Sequence, residues 1–210
     1  MKKALWVLNI GNYRPDITEY TLPNIKAYAN KIGAEYKEIT ERKYPDWPIT
    51  YEKMQIHELG KNYDWNILCD ADVLISKNMP DVTNVVPYNH VGAHGHYDIS
   101  ITVKDPDLYF ARDGRQCGVA TYFVVSSSLM HDIWTPLEMT AEEAKSKMKR
   151  EFVIDEYCVS RNLARFGMKF TGVSPKAEYL FHLSLTTEQP EEDLRKVKEW
   201  IQKDKNGDFA

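Results

Sequence analysis

Two spacings of hydrophobic positions alternate along the first third of the chain. "KALWVLNIG", residues 3–11, is a short apolar run closed by glycine, which predicts a buried strand. In "TLPNIKAYANKIG", Leu22, Ile25, Ala29 and Ile32 recur at helical spacing, with Pro23 in the first turn and Gly33 as terminator. "AEYKEIT" predicts a second strand and "ERKYPDWPIT" a loop with two prolines. A helix over 51–61 with Thr50 as its cap comes next, and then a strand from Trp65. The order β-α-β-α-β predicts an α/β fold, its sheet mixed but mostly parallel, with helices on both faces.

The second half is less regular. "HVGAHGH" predicts a short strand, 97–118 a long polar loop broken by glycine and proline, and "VATYFVVSS" a strong strand. Thr140 and Glu143 have the spacing of a capping box. "DEYCVSRNLARFG" predicts a helix with Val159, Leu163 and Phe166 on one face. "MKFTGVS" predicts a further strand and "EEDLRKVKEWIQKD" an amphipathic last helix. No internal repeat or linker divides the chain, so one domain over 1–210 is expected. About 1–75 would form a first half and 76–190 a second, with 191–210 a C-terminal helix and tail.

Composition narrows the function classes. Of 210 residues, 43% are hydrophobic and 28% charged, which is globular composition rather than disorder. A net charge of −4 without a basic patch argues against nucleic acid as a partner. Cys69, Cys117 and Cys158 are odd in number and widely spaced, which fits a reducing compartment better than a disulfide framework. The first apolar run is too short to span a membrane, so a cytoplasmic location is expected.

"YDWNILCDADVLIS", residues 63–76, carries the chemistry. Asp70 and Asp72 interrupt an otherwise buried segment around the small Ala71. On an extended strand, i and i+2 share one side, about 6–7 Å apart at ~3.3 Å per residue. Two ionised carboxylates there repel each other and lose hydration unless a cation lies between them. Oxygen ligands suit hard ions such as Mg²⁺ or Mn²⁺. The pair also falls where a strand runs out, the usual place for ligands in open α/β sheets.

"WNILCDADVLIS" resembles the DXD segment of GT-A-fold glycosyltransferases, and the likeness extends over most of the chain. Within that family the chain most resembles the N-terminal domain of a large chlorovirus enzyme that glycosylates a capsid protein. The resemblance implies one Rossmann-like domain whose first half binds the nucleotide and whose second half takes donor sugar and acceptor. It implies a UDP-hexose donor, of glucose or L-rhamnose type, and a hydroxyl acceptor on a glycan or glycoprotein. It further implies Mn²⁺ or Mg²⁺ held by Asp70, Asp72 and a late histidine, His182 in "YLFHLSL". The chain could also be part of a longer protein.

The same resemblance gives roles to other positions. "LNIGNYRPD" would receive base and ribose, with Asn9, Ile10, Gly11 and Tyr13 as contacts; Tyr13 could equally be a surface aromatic. Lys53 would reach the nucleotide and stabilise the leaving diphosphate; a solvated helix lysine is the alternative. Arg14 and Arg112 are further cationic candidates. Gln116 and Gly118 in "RQCGVATYFVV" would line the sugar pocket, and Cys117 would pack. Asp155 and Glu156, at a helix start that favours acids anyway, would include a base for the acceptor hydroxyl or a sugar-binding acid. His90, His94 and His96 could hold a metal but fit exposure or substrate contact better.

Two other functions fit a D-x-D at a strand end. In haloacid-dehalogenase-type phosphatases the first Asp is a nucleophile and Thr or Val usually stands two residues after the second. This chain has Leu74 there, and its motif comes late. A metal-dependent sugar- or nucleotide-binding module without turnover is the other.

Overall fold

Apolar runs that alternate in and out of two cores build the central sheet. The computed structural model describes residues 1–93, 96–98, 102–104, 117–173, 179–183 and 189–208. β1 (Lys3–Leu8) leads through α1 (Pro15–Lys31) to β2 (Ala34–Ile39). A 3-10 segment, Ile49–Gln55, passes into the short α2 (Ile56–Leu59) and then β3 (Trp65–Asp70). β4 (Val73–Ile75), β5 (His90–Ala93), β6 (His96–Asp98), β7 (Cys117–Val119) and β8 (Phe123–Ser127) follow. The chain continues through α3 (Ala141–Lys147), α4 (Ile154–Arg165), β9 (Lys169–Gly172), β10 (Leu180–His182) and α5 (Pro190–Asn206).

The main sheet has the order β2-β1-β3-β8-β5-β9. Only β8 runs against its neighbours, so the sheet is mixed and mostly parallel. Successive side chains on a strand point to opposite faces, and here both faces are covered. Leu5, Val7, Ile67, Cys69, Phe123 and Val125 pack with Ile25, Tyr28 and Ala29 of α1. Ala4, Trp6, Leu68 and Val124 pack on the other side with Tyr51, Met54 and the α4 residues Ile154, Tyr157 and Cys158. α5 closes a third cluster, in which Val197 and Trp200 meet Ile17 and Leu74.

Several local expectations change. α1 begins at Pro15, not near Pro23, because the chain turns into it through a left-handed Arg14 (φ 42°) and Ile17 extends its buried face. Pro15 therefore takes the first-turn position and Pro23 lies inside the helix. The expected helix over 51–61 is 3-10 as far as Gln55 and α-helical only over Ile56–Leu59, and Thr50 does not cap it; its hydroxyl donates to the Phe152 carbonyl at 2.8 Å. The expected loop over 97–118 is bounded by paired strands, with Tyr97 opposite Gly118 in an antiparallel β6–β7 pair. The expected strand over 119–127 breaks at residues 120–122, so Val119 belongs to β7 and Phe123 opens β8. On α4, Phe166 is exposed, and the buried face is Ile154, Tyr157, Cys158 and Val159. Thr140 caps α3 as expected, accepting from the Glu143 N–H at 3.2 Å.

Among the described residues, no helix is long and apolar enough to cross a membrane. Cys69 and Cys158 are buried free thiols.

Candidate active site

At the C-terminal end of β3 the chain leaves the main sheet. Ala71 and Asp72 form a turn, and Val73 starts β4, which pairs antiparallel with β10 in a separate two-stranded sheet. Asp70 and Asp72 therefore flank a turn rather than sharing one extended strand as their spacing had implied. The turn is fixed from below: Thr21 of α1 donates its hydroxyl to the Ala71 carbonyl at 2.5 Å. β10 places His182 opposite Val73, next to the pair. One ligand atom from each of Asp70, Asp72 and His182 then lies within 4.8 Å of the others. His182 Nε2 is 3.5 Å from Asp72 Oδ1.

Lys53 joins the site from the 3-10 segment. It is 2% exposed, the opposite of a solvated helix lysine. Its ammonium lies 2.6 Å from Asp70 Oδ1 and 2.8 Å from Asp155 Oδ2. Asp155, in the first turn of α4, does not cap that helix. Its Oδ2 instead accepts from Lys53 and, at 2.5 Å, from the Thr121 hydroxyl. The break between β7 and β8 supplies Thr121 and Tyr122. The Tyr122 carbonyl accepts from the Asp70 N–H at 2.8 Å, and its ring stacks on His182 with centroids 4.3 Å apart.

Charge and burial set the protonation of these groups. Burial raises the Asp70 carboxyl above the usual carboxylate range against the pull of Lys53, and the nearby Asp72 and Asp155 add to the rise. Burial acts the same way on Asp72, but the hydrogen bond and charge of His182 outweigh it and hold Asp72 low. Burial pulls His182 down, and its contact with Asp72 reverses this, so the imidazole lies above its ordinary value. Burial keeps the Tyr13 phenol protonated, pushing it up to about 12 with help from Asp72 and Asp70.

The donor set fits a divalent cation. Two carboxylates and an imidazole converge, each offering one ligand atom to a common point. With His182 neutral, three carboxylates and one ammonium leave the site two negative charges, which one divalent ion offsets.

Beside the triad a cleft of about 150 Å³ opens between the ends of β1 and β3. It is lined by Leu8, Ile10, Tyr13, Ile49, Thr50, Lys53, Asp70, Ala71 and Asp72. Ile10, Tyr13, Lys53 and the Asp70-Ala71-Asp72 turn are thus brought together. Gly11 turns the chain out of β1 with φ 69°, in the left-handed region that favours glycine. The Asn9 amide faces β2, donating to Glu38 Oε2 at 2.9 Å. Arg14 forks onto Asp16 and onto Asp193 of α5, away from the cleft lining.

Glu156 is half-buried beside Asp155 on α4. Gly118 is buried in β7, a strand against α4, and does not line the cleft. His90 opens β5, which β8 separates from β3, and its Nδ1 is 2.6 Å from the Thr171 hydroxyl. His94, Arg112 and Gln116 lie outside the described residues, as do the side chains of His96 and Cys117. Sequence reasoning missed Thr121 and Tyr122. The signal that could have found them is the polar interruption "ATY" in an otherwise β-rich run.

No family model matches the chain, and no curated protein does. Solved structures do match. One is a glycosyltransferase involved in the glycosylation of the major capsid of PBCV-1, with TM-score 0.50 and 11% identity, covering 93% of this chain and 99% of that one. A second is the galactosyltransferase LgtC in complex with donor and acceptor sugar analogues, with TM-score 0.50 and 11% identity over 95% of both chains. A third is the bifunctional glycosyltransferase WbbM, with TM-score 0.50 and 10% identity, where 94% of this chain matches 44% of that one. At such identities the likeness is one of architecture: the chain has the GT-A glycosyltransferase fold.

Proposed function

We propose that the chain is a metal-dependent glycosyltransferase that moves a hexosyl group, of glucose or L-rhamnose type, from a UDP-sugar to a hydroxyl of a glycan or glycoprotein. A viral capsid glycan is one such acceptor. The observation that carries this reading is the convergence of Asp70, Asp72 and His182 beside a cleft at the carboxyl ends of β1 and β3. Residues 1–75 would hold the nucleotide and 76–190 the donor sugar and acceptor.

Asp70, Asp72 and His182 would hold Mn²⁺ or Mg²⁺, which supplies charge neutralisation to the donor diphosphate. Tyr13 and Ile10 line the cleft where the nucleoside would lie, and Tyr13 offers a ring face for the base. Lys53 contributes a buried cation beside the same cleft, placed to stabilise charge growing on the leaving diphosphate. The acceptor oxygen bonds to the anomeric carbon, the bond from that carbon to the diphosphate oxygen breaks, and UDP leaves with the electron pair. The hydroxyl proton passes to a carboxylate or to the departing phosphate. Asp155, bonded to both Lys53 and Thr121, fits the task of holding Lys53 better than that of proton acceptor; Glu156 is the less enclosed neighbour.

A screen of UDP-sugars with Mn²⁺, reading UDP release with and without sugar acceptors, tests this. Turnover that needs both metal and Asp72 is the expected result. Absence of nucleotide-sugar binding, with no effect of chelator, would overturn it.

A further inference from the structure

Two of the three convergent groups meet one residue that is not itself a ligand. Tyr122 lies in the break between β7 and β8, and its main chain and side chain act on different partners. Its carbonyl accepts from the Asp70 N–H at 2.8 Å, which extends the β3–β8 ladder by one residue and fixes the backbone from which the first carboxylate projects. Its ring lies over the His182 ring, with centroids 4.3 Å apart and an angle of 15° between planes.

The need for such a contact follows from how His182 is attached. The backbone of His182 is set by pairing with Val73, and the next residue, Leu183, donates its N–H to the Asp72 carbonyl at 3.3 Å. Those bonds place the histidine's Cα beside the aspartates. They do not set the ring torsion, which is broad for an imidazole, and the 3.5 Å contact of Nε2 with Asp72 Oδ1 constrains the ring at one atom only. A parallel aromatic face removes much of that freedom, and groups that orient a metal-binding histidine contribute strongly to affinity.

We propose that Tyr122 is a positioning residue for the metal triad, holding the His182 ring in its ligating orientation while its carbonyl anchors Asp70. The inference rests on the metal site of the function proposed above. It assigns the effect to the ring, the part of the side chain that lies over His182. Phenylalanine should therefore substitute and an aliphatic residue should not.

The test is Mn²⁺ titration of the full chain by calorimetry, with and without UDP. Tyr122→Phe should bind as the wild type does. Tyr122→Leu should bind about 10-fold more weakly, and Tyr122→Met serves in its place if the leucine variant fails to fold. The His182→Ala background separates positioning from general damage. There, Tyr122→Leu should cause no further loss, because the ring it orients is gone. Equal Mn²⁺ binding by wild type and Tyr122→Leu would overturn the inference alone. So would a loss of the same size in the His182→Ala background, or a Phe variant as weak as Leu. Absence of Mn²⁺ binding by the wild type under both conditions would overturn it together with the proposed metal site.

Discussion

Lys53→Met isolates the central charge arrangement. The substitution keeps a chain of similar length and removes the ammonium that lies 2.6 Å from Asp70 and 2.8 Å from Asp155. Asp155 has a side chain only 4% exposed, so it would be left as a buried carboxylate with Thr121 as its remaining described partner. Removing one member of a buried pair costs about 3–5 kcal/mol, because the other charge is stranded. Asp70, 22% exposed, keeps some access to water, so the lower half of that range applies. For a chain of this size each kcal/mol shifts the midpoint by about 2–4 °C, so Tm should fall by roughly 10 °C.

Urea denaturation read by circular dichroism measures the loss, with the slope unchanged if only stability has changed. Two controls tie it to charge. Asp155→Asn should cost less than Lys53→Met, since the amide oxygen still accepts and Lys53 keeps Asp70. Combining the two should fall short of their sum by about 1–3 kcal/mol, as expected for contacting groups. The pH dependence has a defined sign. Without Lys53, whose charge pulls it down, burial raises the Asp70 carboxyl further above its unfolded value. That part of the penalty is full at neutral pH and fades as pH falls through the raised folded value. The gap to wild type should therefore narrow between pH 7 and pH 5. A Lys53→Met variant within about 0.5 kcal/mol of wild type at pH 7, or a gap that widens on acidification, would refute the reasoning.

Asp81 accepts from the Thr83 N–H and pairs with Lys3 at 2.5 Å. Burial opposes ionisation of Asp81, but Lys3 and Thr83 prevail and hold the carboxyl low. Asp81→Ala should cost about 1 kcal/mol at pH 7. By linkage the charge-dependent part is present above the unfolded carboxyl value and is lost as pH falls through the lower folded value, which a urea series from pH 7 to pH 3 would detect. Gly92→Ala should destabilise by about 1–3 kcal/mol, because a Cβ there would meet Val86 at 2.5 Å and Val173 at 2.6 Å; an unchanged urea midpoint would contradict it. Arg14→Ala should lower stability by about 1–3 kcal/mol, since Asp193 is 3% exposed. It should also weaken UDP binding by calorimetry, because the left-handed turn through Asn12 and Arg14 presents Tyr13 to the cleft.

The first half of the fold was legible because its signals are local. Apolar runs ending in glycine gave β1, and parallel pairing followed from the alternation of strand and helix. The start of α1 was not legible, because its entry depends on Arg14 in a left-handed conformation held by Asp16 and by Asp193 from the far end of the chain. The break in "VATYFVV" was masked by β propensity: all its residues but Ala120 favour strand, and the partners that draw the Thr121 and Tyr122 side chains away, Asp155 and His182, lie far along the chain. For the site, Asp70 and Asp72 were visible as polar residues in a buried run. The expected strand geometry was wrong because β4 pairs with β10 and not with the main sheet.

Lys53 and Asp155 show where such reading ends, since each alone has a bland explanation. A lysine on a helix is normally solvated, and an acid at a helix start is normally a cap or a partner of the dipole. Their separation of 102 positions hides the fact that each answers the other's burial. Once they are paired, the excess charge belongs to Asp70 and Asp72, two negative charges while His182 is neutral. A fully neutral cluster would have no use for a divalent ion, and a fully unpaired one would strand buried charge. The partial pairing seen here leaves a negative excess beside the cleft, and it accounts for a lysine buried against Asp70 and Asp155 and not solvated at the surface.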